Sequence, residues 1–127
     1  LAENKLPGRF INMSLKADQM PALYHSADAF LHMSKAEAFG NVFIEALACG
    51  LPVVAHDIPR HRWVVGDTGF FVNTDRSENT AQAVQQALGA AVTDRENRIQ
   101  SIEKYDWALV ADQYERFFQS MLGQRAT

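Results

Sequence analysis

The hydrophobic residues of the chain fall into short apolar runs that alternate with longer segments of mixed polarity. Four of these runs have the length and composition of strands, at residues 9–14, 29–33, 51–55 and 68–73. Between the second and third runs, the apolar residues recur at helical spacing. A buried strand, a helix and another buried strand in this order predict a parallel βαβ unit.

Further helices are predicted on both sides of this unit. Asp18 is a candidate N-cap for a first helix that tolerates Pro21 in its first turn, and residues 77–89 form another helix. Asp94 and Asp106 are the predicted N-caps of the last two helices. The overall prediction is an α/β fold, a Rossmann-like parallel sheet with flanking helices. On the last helix we expect an apolar stripe to pack into the core, formed by Trp107, Val110, Tyr114, Phe117, Phe118 and Leu122.

The helix of the βαβ unit has well-marked ends. Gly50, followed by Leu and Pro, is a typical C-terminal stop with a left-handed glycine. At the other end, residues 37–41 offer backbone N–H groups that lack helical acceptors, and Gly40 permits close approach. This pattern predicts a phosphate-binding helix N-terminus. We expect Gly40→Val to abolish binding of the ligand with little loss of folding.

Two glutamates flank this helix N-terminus. Glu45 lies one turn inside the helix on the same face as Asn41, roughly 7 Å along the axis from Gly40. A carboxylate beside phosphates can accept hydrogen bonds from the two hydroxyls of a ribose, and Glu37 could do the same for a hexose. Glutamates at this spacing are also common on protein surfaces, where the helix dipole favours Glu37. The spacing alone therefore does not decide between the two interpretations.

The wider pattern resembles a known family. Glu37 and Glu45 are separated by seven residues and followed by Ala-Cys-Gly-Leu-Pro-Val-Val-Ala, which is similar to the E-x7-E signature of the family 4 (group 1) retaining glycosyltransferases of GT-B fold. The similarity covers roughly residues 9–122, and it implies the C-terminal, donor-binding domain. It implies that Glu37 is the catalytic residue contacting the donor sugar and that Glu45 binds the ribose. The diphosphate would be held by the backbone of Phe39, Gly40, Asn41 and Val42.

Two further groups of residues carry weaker predictions. In the family, the loop after the first strand of this segment touches the nucleobase, so the resemblance gives that role to Met13 and Ser14. The alternative is that Met13 is a core residue and Ser14 a turn residue. Arg60, His61 and Arg62 follow the third predicted strand and could either reach the diphosphate or be solvated, of which we favour the solvated alternative.

The composition of the chain mainly excludes certain classes of function. A net charge of −3 provides no basic surface for nucleic acid or anionic lipid. The longest apolar stretch, residues 42–55, contains a Glu, a Gly and a Pro, so no transmembrane segment is predicted. The single cysteine, Cys49, forms no intrachain disulfide and is compatible with the cytoplasmic location that we predict. The chain has no Asp-x-Asp sequence, so we predict neither a metal site nor a cofactor beside the donor.

The most consistent functional prediction is a glycosyltransferase that moves a hexose from a nucleoside diphosphate sugar to an unknown acceptor. Residues 1–127 would be its single donor-nucleotide-sugar-binding domain, a fragment of a two-domain enzyme whose N-terminal acceptor domain is missing. The isolated fragment is expected to be inactive, and its first strand lacks the upstream neighbours that the family provides. Two alternatives remain, namely a non-catalytic nucleotide-sugar-binding module and a nucleotide-sugar epimerase of the same fold.

Overall fold

The computed structural model describes residues 8–123. These residues form three strands, β1 (Phe30–His32), β2 (Val53–His56) and β3 (Phe70–Val72). The helices are α1 (Met20–His25), α2 (Asn41–Ala48), α3 (Pro59–Val65), α4 (Ser77–Gly89), α5 (Arg95–Ser101) and α6 (Trp107–Gly123). Short 3₁₀ turns at Ala17–Gln19, Gly66–Thr68 and Glu103–Tyr105 connect some of them.

The strands form one parallel sheet in the order β1-β2-β3. Phe30 pairs with Val53 across the first ladder, and Val54 pairs with Phe70 across the second. The predicted α/β architecture, with a Rossmann-like parallel sheet and flanking helices, is therefore confirmed for three of the four predicted strands. Since all three strands run the same way, the loops that follow them leave from one edge of the sheet.

The core lies on both sides of β2. Val53 and Ala55 face a cluster built from α1, α2 and α3, whereas Val54 faces Ala83 and Ala87 of α4. This alternation follows from the strand period of two residues, because successive side chains point to opposite faces. The continuous apolar run of β2 is thus explained by helices that cover the sheet from both sides.

The predicted first strand at residues 9–14 is wrong. This segment has no regular secondary structure, and within residues 8–123 no strand pairs with it. Phe10 is 45% and Ile11 72% exposed. A strand needs a neighbour to satisfy its backbone N–H and C=O groups, and the described sheet consists of β1, β2 and β3 alone. The apolar residues of this segment are typical of a strand, but composition alone does not provide a neighbouring strand.

Sequence analysis also misplaced helical boundaries. Asp18 lies inside the 3₁₀ turn and does not cap a helix, although Pro21 does occupy the first turn of α1. Helix α3 was not predicted. It begins at Pro59, which favours a first helical position, and it buries His61, Val64 and Val65 at helical spacing. The histidine concealed this apolar face in the sequence.

Helix α6 differs from its predicted packing. Asp106 does act as its cap, since the Ala108 N–H donates to Asp106 Oδ1 at 2.8 Å. However, no residue of α6 is buried, and Trp107 and Leu122 are 85% and 69% exposed. The expectation that the stripe packs into the core is wrong for the described residues, because α1 to α4 already cover both faces of the short sheet.

A buried arginine ties the peripheral elements together. Arg98 of α5 donates to the carbonyl of Gly50 at 2.8 Å and to those of Ala90 and Ala91 at 3.2 and 2.5 Å. Burial lowers the pKa of its guanidinium, because low-polarity surroundings disfavour the charged form. These bonds join the end of α2 to the end of α4.

Candidate functional site

The site is built around the loop that leads from β1 to α2. Within this loop, the Ala36 N–H donates to Ser34 Oγ at 3.3 Å, which forms a local turn. The loop ends at Gly40, whose φ of 91° and ψ of 50° place it in the left-handed region. The predicted helix of the βαβ unit is therefore confirmed. It is α2, which starts at Asn41, and the left-handed Gly50 follows its end.

Gly40 has a structural role that sequence analysis underestimated. A Cβ atom on Gly40 would lie 2.6 Å from Cδ2 of Phe43, a fully buried core residue. A side chain here would thus meet both an unfavourable backbone conformation and the core. The expectation that Gly40→Val leaves folding almost unchanged is wrong.

The N-terminus of α2 presents free donors. The Phe43 N–H donates to the Gly40 carbonyl at 2.9 Å. In the described part of the chain, the N–H groups of Asn41 and Val42 have no hydrogen-bond acceptor. They lie at the positive end of the helix dipole, and the first turn contains no acidic side chain. This end of α2 can therefore receive an anion.

Glu45 is held by a residue from another helix. The hydroxyl of the buried Tyr24 donates to Glu45 Oε2 at 2.9 Å. Burial raises the pKa of Tyr24 above its ordinary value of 10.0, and the Glu45 carboxylate adds to the shift because it accepts a hydrogen bond from the neutral hydroxyl and repels the phenolate. The exposed Glu45 keeps acceptor capacity on its other oxygen. Sequence analysis missed this contact because Tyr24 lies 21 residues away.

Glu37 also has a partner. Its Oε1 lies 3.2 Å from Nε2 of His32, at the end of β1. The two glutamates therefore flank the N-terminus of α2, and each contacts a side chain from outside the signature. The contact with His32 was not predicted, although a histidine that ends an otherwise apolar strand was visible in the sequence.

An aromatic cluster adjoins the site. Phe39 makes edge-to-face contacts with Trp63 and Tyr105, with ring centroids 5.9 and 5.7 Å apart. Phe39, Asn41 and Glu45 line an open cavity of about 1080 Å³, whose opposite wall is formed by aromatic residues of α6. The side chain of Phe39 thus lines this cavity while it packs against Trp63 and Tyr105.

The other predicted residues have varied surroundings. Met13 and Ser14 are exposed, and no hydrogen bond among the described residues joins them to α2. Arg60 donates to the Ala38 carbonyl and so pins the loop before α2. The solvated interpretation is wrong for His61, which is fully buried.

Arg62 is exposed and paired with a nearby carboxylate. Its Nε and Nη2 donate to the two oxygens of Asp57 at 2.6 and 2.8 Å, and this guanidinium holds the pKa of Asp57 below its usual value. Its charge is therefore paired in this structure. Among residues 8–123, no three His, Cys, Asp or Glu side chains form a group that could hold a metal ion. In the same part of the chain, every helix is too short or too polar to cross a bilayer.

The chain is an α/β protein with a parallel sheet, and one of its helix N-termini, between two glutamates, can receive an anion. The comparison with known families agrees with this architecture. The chain belongs to the group 1 glycosyl transferases, since the model of the family described as "Glycosyl transferases group 1" matches residues 2–90. The predicted group 1 resemblance is confirmed, and glycosyl transfer is the chemistry of this family.

Individual relatives are mainly mannosyltransferases. The chain is 30% identical over 119 residues to GDP-mannose:cellobiosyl-diphosphopolyprenol alpha-mannosyltransferase of Xanthomonas oryzae pv. oryzae, covering 89% of the chain and 31% of that protein. It is 31% identical over 128 residues to phosphatidyl-myo-inositol mannosyltransferase of Mycobacterium tuberculosis, covering 93% of the chain and 34% of that protein. D-inositol 3-phosphate glycosyltransferase of Corynebacterium aurimucosum is 31% identical over 105 residues, with 79% and 25% covered. The chain thus spans about a quarter to a third of the length of these relatives.

Proposed function

We propose that this chain is the C-terminal, donor-binding domain of a two-domain GT-B glycosyltransferase that transfers a hexose from a nucleoside diphosphate sugar with retention of configuration. The observation that carries the proposal is the pair of free N–H groups at Asn41 and Val42 between Glu37 and Glu45. Membership of the group 1 glycosyl transferases supports transfer over a non-catalytic module or an epimerase.

The N-terminus of α2 would bind the diphosphate and stabilise it as the leaving group. When the bond between the sugar and the diphosphate breaks, negative charge grows on the diphosphate oxygens, and preoriented N–H groups favour that charge. A helix terminus supplies the equivalent of about half an elementary charge, which is too little to neutralise a diphosphate alone. We propose that basic side chains outside this chain supply the rest.

The two carboxylates would bind the neutral ends of the donor. Glu45, with one oxygen held by Tyr24, would accept a hydrogen bond from a ribose hydroxyl with the other. Glu37 would accept from a hexose hydroxyl and act as the catalytic residue at the sugar. We also propose that Met13 and Ser14 contact the nucleobase. In this scheme no cofactor is needed beside the donor, and the protein acts in the cytoplasm.

The donor to test first is GDP-mannose. One relative carries this compound in its name, and another is named as a mannosyltransferase. The part of such an enzyme outside this chain would hold the acceptor, since the relatives are about three times as long as the matched segment. The identity of the acceptor is left open by this proposal.

The test is titration of GDP and GDP-mannose into the chain by ligand-observed NMR, with transfer assayed in the full-length protein. Glu45→Gln should weaken both ligands by about 1.5–3 kcal/mol, because a hydrogen bond to a charged group is lost. Glu37→Ala should reduce the affinity for GDP-mannose far more than that for GDP. The matched control is Glu78→Gln, which removes a charge at the exposed start of α4 and should change neither. Unchanged affinity of Glu45→Gln for both ligands would remove the proposed ribose site.

A further inference from the structure

His32 is the last residue of β1 and lies between the core and the site. Its side chain is 18% exposed, and its ring packs edge-to-face on Phe43 with centroids 4.9 Å apart. Its Nε2 lies 3.2 Å from Glu37 Oε1. A carboxylate accepts hydrogen bonds and does not donate them, so this contact favours the tautomer that carries its proton on Nε2.

The other ring nitrogen of His32 has no partner. Nδ1 is buried and makes no hydrogen bond within residues 8–123. A buried polar atom without a partner is unfavourable, and an apolar side chain in the same place would avoid that cost. The packing of β1 therefore gives no reason for a histidine here, whereas the contact with Glu37 does.

His61 closes the space behind His32. It is fully buried on the other edge of Phe43, with ring centroids 4.9 Å apart, and its Nδ1 donates to the His56 carbonyl at 2.8 Å. Its Nε2 is buried and unpaired in the described residues, so His61 offers His32 no hydrogen bond. The ring of His32 is thus confined by Phe43 and His61 and has one polar contact, with Glu37.

We infer that His32 is a positioning residue that orients the Glu37 carboxylate toward the sugar of the donor. The inference rests on the proposed function, in which Glu37 contacts the hexose. The Nε2–H of His32 occupies Oε1 and limits rotation of the carboxylate, which leaves Oε2 for a sugar hydroxyl. His32 itself acts through Glu37 and discriminates the sugar-bearing donor from the bare nucleotide.

Two substitutions at His32 separate this role from packing. In His32→Gln, the amide N–H₂ can occupy the region of Nε2 and donate to Glu37, whereas His32→Leu fills the space without a donor. His32→Leu should keep the affinity of the chain for GDP and lose on the order of 10-fold in affinity for GDP-mannose, the scale of one charge-assisted hydrogen bond. His32→Gln should recover most of this loss. The control His25→Leu replaces an exposed histidine of α1 and should change neither ligand.

The same variants in the full-length protein give a second measurement. His32→Leu should lower kcat and raise KM for GDP-mannose, with GDP inhibition unchanged and a melting temperature no lower than that of wild type. In the chain alone, long-range ¹H–¹⁵N spectra should show a proton on His32 Nε2. A proton on Nδ1 with a bare Nε2 would overturn the inference.

The outcomes distinguish the two proposals. If the wild-type chain binds neither GDP nor GDP-mannose, and the full-length protein transfers no mannose, the proposed function fails and the inference falls with it. If Glu37→Ala loses the preference for GDP-mannose over GDP while His32→Leu keeps it, the proposed function stands and the inference is wrong. Equal losses for both ligands in His32→Leu would also overturn it, because they would indicate a structural role.

Discussion

Gly40→Ala is expected to destabilise the chain strongly, because it adds a contact with the core to an unfavourable backbone conformation. Gly40 has a φ of 91°, and a residue other than glycine held in this region costs about 1–3 kcal/mol. The added Cβ would also lie 2.6 Å from the ring of Phe43. Overpacking a core by one carbon typically costs about 1–3 kcal/mol.

Together these two terms predict a loss of about 2–6 kcal/mol, a large part of the roughly 5–15 kcal/mol by which small domains are stable. The assay is equilibrium unfolding in urea followed by circular dichroism. Gly66→Ala is the comparison for backbone strain without a clash, because Gly66 has nothing within 4 Å of an added Cβ, while its φ of 69° and ψ of −156° lie in a region almost restricted to glycine. Gly89→Ala, inside α4 and in open space, should gain about 0.5–1 kcal/mol.

The contact with Phe43 can be tested separately. If the clash contributes, Phe43→Leu should make room, and the double variant Gly40→Ala/Phe43→Leu should lose less than the sum of the single variants. Additive losses would assign the whole effect to backbone strain. The structural account of Gly40 would be refuted if the Gly40→Ala variant had its unfolding midpoint at the same urea concentration as wild type. That result would also restore the interpretation in which this glycine serves the ligand alone.

The remaining predictions concern Tyr24 and Arg98. Because the pKa of Tyr24 is raised above 10.0 in the native state, the folded chain keeps a proton that the unfolded chain releases; stability should therefore fall as the pH rises above about 10, and Tyr24→Phe should remove that part of the fall in melts across this range. Arg98→Met should cost about 3–5 kcal/mol in urea unfolding, since it removes the donors of three carbonyls. Its control, Arg116→Met, loses an exposed pair with Asp112 and should cost less than about 0.5 kcal/mol.

The parts of the fold that could be predicted from sequence are those determined by neighbouring residues. Helix α2 follows from local periodicity and the glycines at its two ends, and the three strands follow from short apolar runs. The signature carries Glu37, Gly40 and Glu45 on one continuous stretch, so the group 1 family could also be recognised. In each case the information lies within about a dozen residues.

The errors arose where the outcome depends on distant partners. Residues 9–14 have strand composition, but a strand is defined by a neighbour that this segment does not have among the described residues. The apolar stripe of α6 indicates a face that favours burial, yet periodicity does not specify what covers it. Helix α3 was missed for the opposite reason, because His61 is buried although histidine is usually a surface or intermediate residue.

The candidate site depends both on residues that are neighbours in the sequence and on residues that are distant in it. Its two glutamates are local in sequence, but Tyr24 of α1 orients one and His32 of β1 contacts the other. Each of these contacts involves only one carboxylate oxygen and leaves the other as an acceptor for a hydroxyl. A chain could therefore keep Glu37, Gly40 and Glu45 and still bind donors poorly if either supporting residue were lost.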